Sequence, residues 1–126
     1  PAELLDIYPT LIDLCGLSKR DGLDGESLAT LLRDPKAPRK PTVSTMGQGN
    51  HAVISERWRY IRYTDGTEEL YDRVADPNEY RNLASVAQHA SVKADLAQYI
   101  PKINAAPVPE RTAYDFDFAT HTWKKK

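Results

Sequence analysis

A single cysteine, Cys15, stands in the 126 residues, so no disulfide can close within the chain. Neither sign of charge is in excess: 17 basic residues face 18 acidic ones, for a formal net charge of −1. That balance supplies none of the field that draws a protein to nucleic acid or to an anionic membrane. The basic end, Lys124-Lys125-Lys126, is too short to change this and reads as a solvated tail. No apolar run approaches the roughly 20 residues of a membrane-spanning helix. No internal repeat is visible, and no signal-like segment follows Pro1. What remains is an ordinary globular composition, 40% apolar and 28% charged, over a length that suits one small domain.

The first element is a helix. Leu4, Leu5, Tyr8, Leu11, Ile12 and Cys15 recur at three- and four-residue spacings, which lays them along one stripe. Asp6 suits the N-cap, with Pro9 in the first turn, where a missing N–H costs little; a start near Ala2 would instead make Pro9 a kink. Gly16 is placed to end the helix in the left-handed conformation, with Leu17 supplying an apolar contact beyond it. So wide an apolar face at the start of a small domain leads us to expect a truncation, with the partner surface upstream. Gly22 and Gly25 mark a loop, Ser27–Leu32 a short helix stopped by Asp34-Pro35, and Lys36–Pro41 an extended linker.

Strands follow. Thr42–Met46 and His51–Ser55 carry β-branched residues and are joined by Gly47-Gln48-Gly49-Asn50. Trp58–Thr64 and Glu68–Asp72 flank Asp65-Gly66, a signal for a tight primed hairpin turn. Alternation puts Trp58, Tyr60 and Arg62 on one face, and Arg59, Ile61 and Tyr63 on the other. After the turn Asp76-Pro77-Asn78, the spacing of Val92, Leu96, Tyr99 and Ile103 predicts an amphipathic helix over the sheet, bent or ended by Pro101. The residues after Asn104 are punctuated by proline and read as extended chain. The fold class expected is α+β: an antiparallel sheet of about four strands with a C-terminal helix packed on it.

Several short motifs in fixed order carry a resemblance. They are Asp6-Ile7-Tyr8-Pro9-Thr10-Leu11-Ile12-Asp13-Leu14-Cys15-Gly16-Leu17, then Asp24-Gly25-Glu26-Ser27-Leu28 with Leu31-Leu32. Gly49-Asn50-His51-Ala52-Val53, Arg59-Tyr60-Ile61 and Glu69-Leu70-Tyr71-Asp72 come next, followed by Asp76-Pro77 with Glu79 and Asn82-Leu83-Ala84. Between about residues 3 and 103 the chain resembles the C-terminal part of type I, formylglycine-dependent sulfatases. Together and in order, the motifs resemble the branch of iduronate-2-sulfatase and N-sulfoglucosamine sulfohydrolase. The resemblance implies that residues 1–34 are the tail end of an alkaline-phosphatase-like α/β catalytic domain. It makes 35–41 a linker, 42–104 the C-terminal subdomain, and 105–126 an extended tail. It implies a parent that hydrolyses sulfate esters, in the periplasm, a lysosome or outside the cell. The parent would use a hydrated formylglycine and a Ca²⁺ held by oxygen ligands.

The nucleophile of that family arises from Cys or Ser in a Cys/Ser-x-Pro/Ala-x-Arg motif. Cys15 is followed by Gly16, Leu17, Ser18 and Lys19, and no serine begins such a motif either. No catalytic or metal-binding residue is therefore assigned in this chain, and no cofactor. Cys15, on the apolar stripe, reads as a buried core thiol. Glu68 and Glu69 point to opposite faces of a strand and cannot serve one ion, so with Asp72 they read as solvated or salt-bridged carboxylates. Arg59 and Arg62 read as paired surface charges, His89 and His121 as exposed and uninformative.

Asn50 and His51 are the candidate substrate-binding residues. They close a Gly-rich turn at the start of a strand, a place that can hold an amide and an imidazole at a cleft rim. The bland alternative is a hairpin asparagine beside a locally bonded histidine. The partners implied are the upstream sulfatase catalytic domain and, through the parent, a sulfated small molecule or glycan, with no nucleic acid and no membrane. A free-standing, non-catalytic β/α module that binds a glycan or protein is the competing reading of the whole chain.

Overall fold

The computed structural model describes residues 1–107 and 114–125. The fold is α+β. A 3₁₀ turn, Leu4–Asp6, leads into α1 (Ile7–Leu14), and α2 (Ala29–Arg33) follows after a loop. Four strands, β1 (Thr42–Thr45), β2 (His51–Ile54), β3 (Trp58–Arg62) and β4 (Glu68–Asp72), pair in sequence order as one antiparallel sheet. A second 3₁₀ turn, Ala87–His89, opens α3 (Ala90–Ala97).

The register puts Val53, Tyr60 and Leu70 in one cross-strand row at the middle of the sheet. All three are fully buried, and Leu96 and Ile100 close over them with Val92 and Trp58 at the margin. Tyr60 keeps a polar end inside this core by donating its hydroxyl to Glu68, which Lys93 of α3 also holds at 2.6 Å. Burial, then the Glu68 carboxylate, pushes the Tyr60 phenol up to about 12.

The covering helix is shorter than the apolar spacing predicts. α3 ends at Ala97, and Tyr99 and Ile100 donate back only three residues, to Leu96 and Ala97. Pro101 bars helical geometry at the residue before it, so the chain tightens and leaves. Ile100 is therefore buried, while Tyr99 is half exposed and Ile103 lies in water. His89 is also less idle than its sequence context suggests: its ring packs on Trp58 at 5.3 Å between centroids.

The β3–β4 connection is not a two-residue primed turn. Gly66 N–H bonds to Tyr63 C=O, and Tyr63 N–H bonds to Thr67 C=O. Gly66 has φ +85 while neither Thr64 nor Asp65 is left-handed. This is a three-residue loop in which glycine takes the left-handed position.

Residues 114–125 fold into a second sheet, β5 (Tyr114–Asp117) with β6 (Thr122–Lys125), where the sequence suggests unpaired extended chain. Phe116, Phe118 and Trp123 cluster on it, and Lys124 pairs with Asp117 at 2.6 Å. Residues 108–113 and Lys126 of the expected tail lie outside the described residues.

The first helix departs most from expectation. Its end is as anticipated: Gly16 has φ +64, and Gly16 and Leu17 donate to Asp13 and Ile12, which closes a Schellman motif. Its packing is not. Leu4, Leu5, Tyr8 and Leu11 are 86%, 60%, 48% and 54% exposed, and Cys15 is exposed rather than a core thiol. Of the apolar stripe, only Ile12 is buried.

The helix is moored instead by its polar side. Asp6 does not cap α1 with its side chain. Its buried carboxylate accepts the N–H of Glu3 at 2.7 Å, the N–H of Glu26 at 2.9 Å, and the Arg39 guanidinium. Thr10 donates to Asp6 C=O and accepts from Leu28 N–H at 2.8 Å. Glu3 in turn receives the N–H of Val43 on β1, which ties this corner to the sheet.

At the far corner, Asp72 holds the turn that leaves β4. It accepts Arg57 at 2.6 Å and the N–H groups of Val74 and Ala75 at 3.2 Å. Arg57, then those amides, bring its carboxyl down to about 2. A depressed carboxylate contributes stability that is present above the unfolded value, 3.8 here, and lost as pH falls through the folded one. Thermal unfolding should therefore show a stability loss between pH 4 and pH 2 that Asp72→Asn flattens.

Candidate functional site

The β1–β2 turn sits at one end of the sheet, against the β3–β4 loop. Gly47 and Gly49 have φ +68 and +79, a conformation open to glycine at little cost. Met46 N–H closes the turn on Asn50 C=O at 3.0 Å. The Asn50 side chain fastens it twice. Its amide donates to Met46 C=O at 3.0 Å, and its carbonyl accepts Thr64 N–H at 3.0 Å. The two loops touch so closely that a Cβ on Gly49 would lie 2.9 Å from Thr64 Oγ1.

His51 begins β2 behind this turn and is 3% exposed. Its Nδ1 lies 2.9 Å from Thr45 Oγ1 and its Nε2 2.6 Å from Asn104 Oδ1. A neutral imidazole with its proton on Nε2 satisfies both contacts: it donates to Asn104 and accepts from Thr45. The Asn104 backbone carbonyl accepts the Gln48 amide at 3.3 Å, so residue 104 is tied to the turn at two points. Thr45 is the register partner of His51 and follows from strand pairing. Asn104 lies 53 residues away with no local signal, which is why sequence reasoning misses it.

Two openings border the turn. A cavity of about 180 Å³ lies between it and residues 101–105, lined by Thr45, Gln48, His51, Pro101 and Asn104. A groove of about 660 Å³ runs along the sheet face away from α3, over Ser44, Met46, Ala52, Arg59, Ile61 and Tyr63.

The acidic candidates are occupied elsewhere, on the opposite faces that alternation assigns them. Glu68 faces the core with Tyr60 and Lys93, and the bonds from Lys93 and Tyr60 lower its carboxyl. Glu69 faces the groove side and accepts the Tyr63 and Tyr71 hydroxyls at 3.0 and 2.8 Å. That contact, with some burial, pushes the Tyr71 phenol up to about 12. Arg59 is paired with Glu79 at 2.8 Å, and Glu79 also meets Arg73. Among the described residues no three carboxylates, imidazoles or thiols converge on one point. These side chains do not form the oxygen cage that a hard divalent cation requires.

Known proteins extend this geometry. The profile of the family described as N-sulphoglucosamine sulphohydrolase, C-terminal, matches residues 2–106. A sulfatase of Formosa agariphila is 40% identical over 106 residues, covering 83% of this chain and 21% of that protein. Mouse arylsulfatase K is 32% identical over 125 residues, covering 82% of this chain and 22% of that protein. Among solved structures, a 2-O GAG sulfatase superposes with a TM-score of 0.64 at 31% identity, over 74% of this chain and 22% of that one. The chain thus spans about a fifth of the length of the relatives it matches.

Proposed function

The chain belongs to the N-sulphoglucosamine sulphohydrolase C-terminal family, and on that premise we propose that it is the C-terminal part of a sulfatase acting on sulfate esters of a sulfated glycan. One observation carries the reading. The family profile spans 105 of the 126 residues, 2–106, and takes in both the moored helix and the four-stranded sheet.

Residues 1–34 complete the catalytic domain of this enzyme, 35–41 link, 42–104 form the C-terminal subdomain, and 105–126 trail from it. Formylglycine and Ca²⁺ are supplied by the catalytic domain. They provide the sulfur-attacking hydroxyl and the charge that stabilises the sulfate oxygens. The residues here contribute packing and a rim of the substrate cleft. We place that rim at the turn held by Asn50 and His51.

The bare stripe of α1 supports this partner. Leu4, Leu5, Tyr8 and Leu11 make a contiguous apolar face of the kind that marks an interface. Its occupant is the catalytic domain. Two measurements test the proposal. The whole protein should release sulfate from a sulfated glycan, and the purified 126-residue chain should release none, with or without Ca²⁺. Turnover by the chain alone would overturn the reading. Leu4→Glu with Leu11→Glu should lower the unfolding temperature of the whole enzyme by several degrees, as expected for charges placed in an apolar interface. An unchanged unfolding temperature would show that the stripe stays in water.

A further inference from the structure

Resting on the reading that the β1–β2 turn borders the substrate cleft, we infer that His51 is a positioning residue which touches no substrate. It holds the turn, through Asn104, so that its tip Met46-Gly47 meets the sulfated sugar. Burial comes first: at 3% exposure His51 offers a ligand almost no surface, even where it edges the cavity beside the turn. Its chemistry is also complete. Thr45 and Asn104 occupy both ring nitrogens at 2.9 and 2.6 Å. A substrate oxygen could reach Nε2 only by displacing the Asn104 amide from the bond it already makes.

What His51 does hold is geometry. The turn has two left-handed glycines and would sample many shapes if free. It is fastened on one flank by Asn50 to Thr64, and on the other by His51 and Gln48 to Asn104. Between these anchors the tip stands clear, with Met46 86% exposed. A recognition loop held in its bound shape binds without the ordering cost a loose loop incurs. Losing the His51–Asn104 bond frees one flank, so the tip must be ordered by each substrate that arrives.

The test is steady-state kinetics on the whole sulfatase with a sulfated oligosaccharide. His51→Ala and Asn104→Ala should each raise KM by about three- to tenfold, the scale of ordering a few side chains, with kcat within about twofold. Because both break one bond, the double variant should be no worse than either single. His51→Gln, which keeps an N–H toward Asn104, should recover most of the loss. Leu96→Ala, a core change away from the turn, should lower the unfolding temperature and leave KM unchanged. A purely structural His51 would behave as Leu96 does, and that result overturns the inference. A KM rise in His51→Ala but not in Asn104→Ala overturns it too, since the ring would then be touching substrate. Met46→Ala separates the two levels. If this tip variant raises KM and His51→Ala does not, positioning alone fails. If it leaves KM unmoved, the turn does not border the cleft and both readings fail.

Discussion

Asp6→Ala should cost the protein about 3–5 kcal/mol, the usual loss when one member of a buried ion pair is removed. The side chains of Asp6 and Arg39 are 1% and 7% exposed, so the arginine left behind keeps its charge in a place water barely reaches. Among the described residues Arg39 Nε has no hydrogen-bond partner to take up part of that charge. The N–H groups of Glu3 and Glu26 lose their acceptor in the same step. Asp6→Asn keeps a carbonyl for one amide but not the charge, and should fall between. Burial by itself raises the Asp6 carboxyl. The Glu26 and Glu3 amides and then Arg39 outweigh it, and the group lies below its ordinary value. The sign follows as for Asp72: this stability is present above the unfolded pKa and disappears as pH falls through the lower, folded one. Urea unfolding at neutral pH and in mild acid checks both points. The gap between wild type and Asp6→Ala should be widest near neutrality and close in acid.

Gly25→Ala should be nearly as damaging, by about 3 kcal/mol, the upper range for forcing atoms into filled space. A Cβ there would lie 2.0 Å from the carbonyl oxygen of Leu5, 2.4 Å from its carbon and 2.9 Å from Asp6 N. These are backbone atoms, so no rotamer change relieves the clash. The loop must separate from the helix start, and that movement pulls Glu26 N–H away from Asp6. Gly22→Ala is the matched control. Gly22 has φ +77 but nothing within 4 Å, so only backbone strain of about 1–2 kcal/mol is expected. Chemical denaturation of both variants should rank Gly25→Ala well below Gly22→Ala. Equal losses would mean that the loop yields freely.

Both predictions rest mainly on contacts that no local pattern announces. Asp6 stands where an N-cap belongs, and short-range rules assign it that role. Beyond the N–H of Glu3, its partners are 20 and 33 residues away, and only the folded chain brings them to one carboxylate. The same holds for His51 and Asn104, 53 residues apart. The end of α3 is different, because its signal is local: Tyr99 and Ile103 keep the helical spacing, but Pro101, where the sequence predicts a bend or an end, removes the geometry that would make that spacing a face.

What the sequence determined by itself is what nearest neighbours decide. Alternation in Trp58–Arg62 and Glu68–Asp72 set the strands and their faces, because successive side chains on a strand must point oppositely. Gly16 set the end of α1, because little but glycine rests easily at φ +64. The order of short motifs over residues 3–103 set the family. Tertiary structure alone decided which polar groups meet, and which apolar face goes uncovered. A wide stripe such as Leu4–Tyr8–Leu11 says only that burial is favourable, since the hydrophobic effect has no direction and names no partner. Hydrogen bonds and ion pairs are directional and short, so Asp6 with Arg39 and His51 with Asn104 exist only once the fold has placed their atoms within about 3 Å.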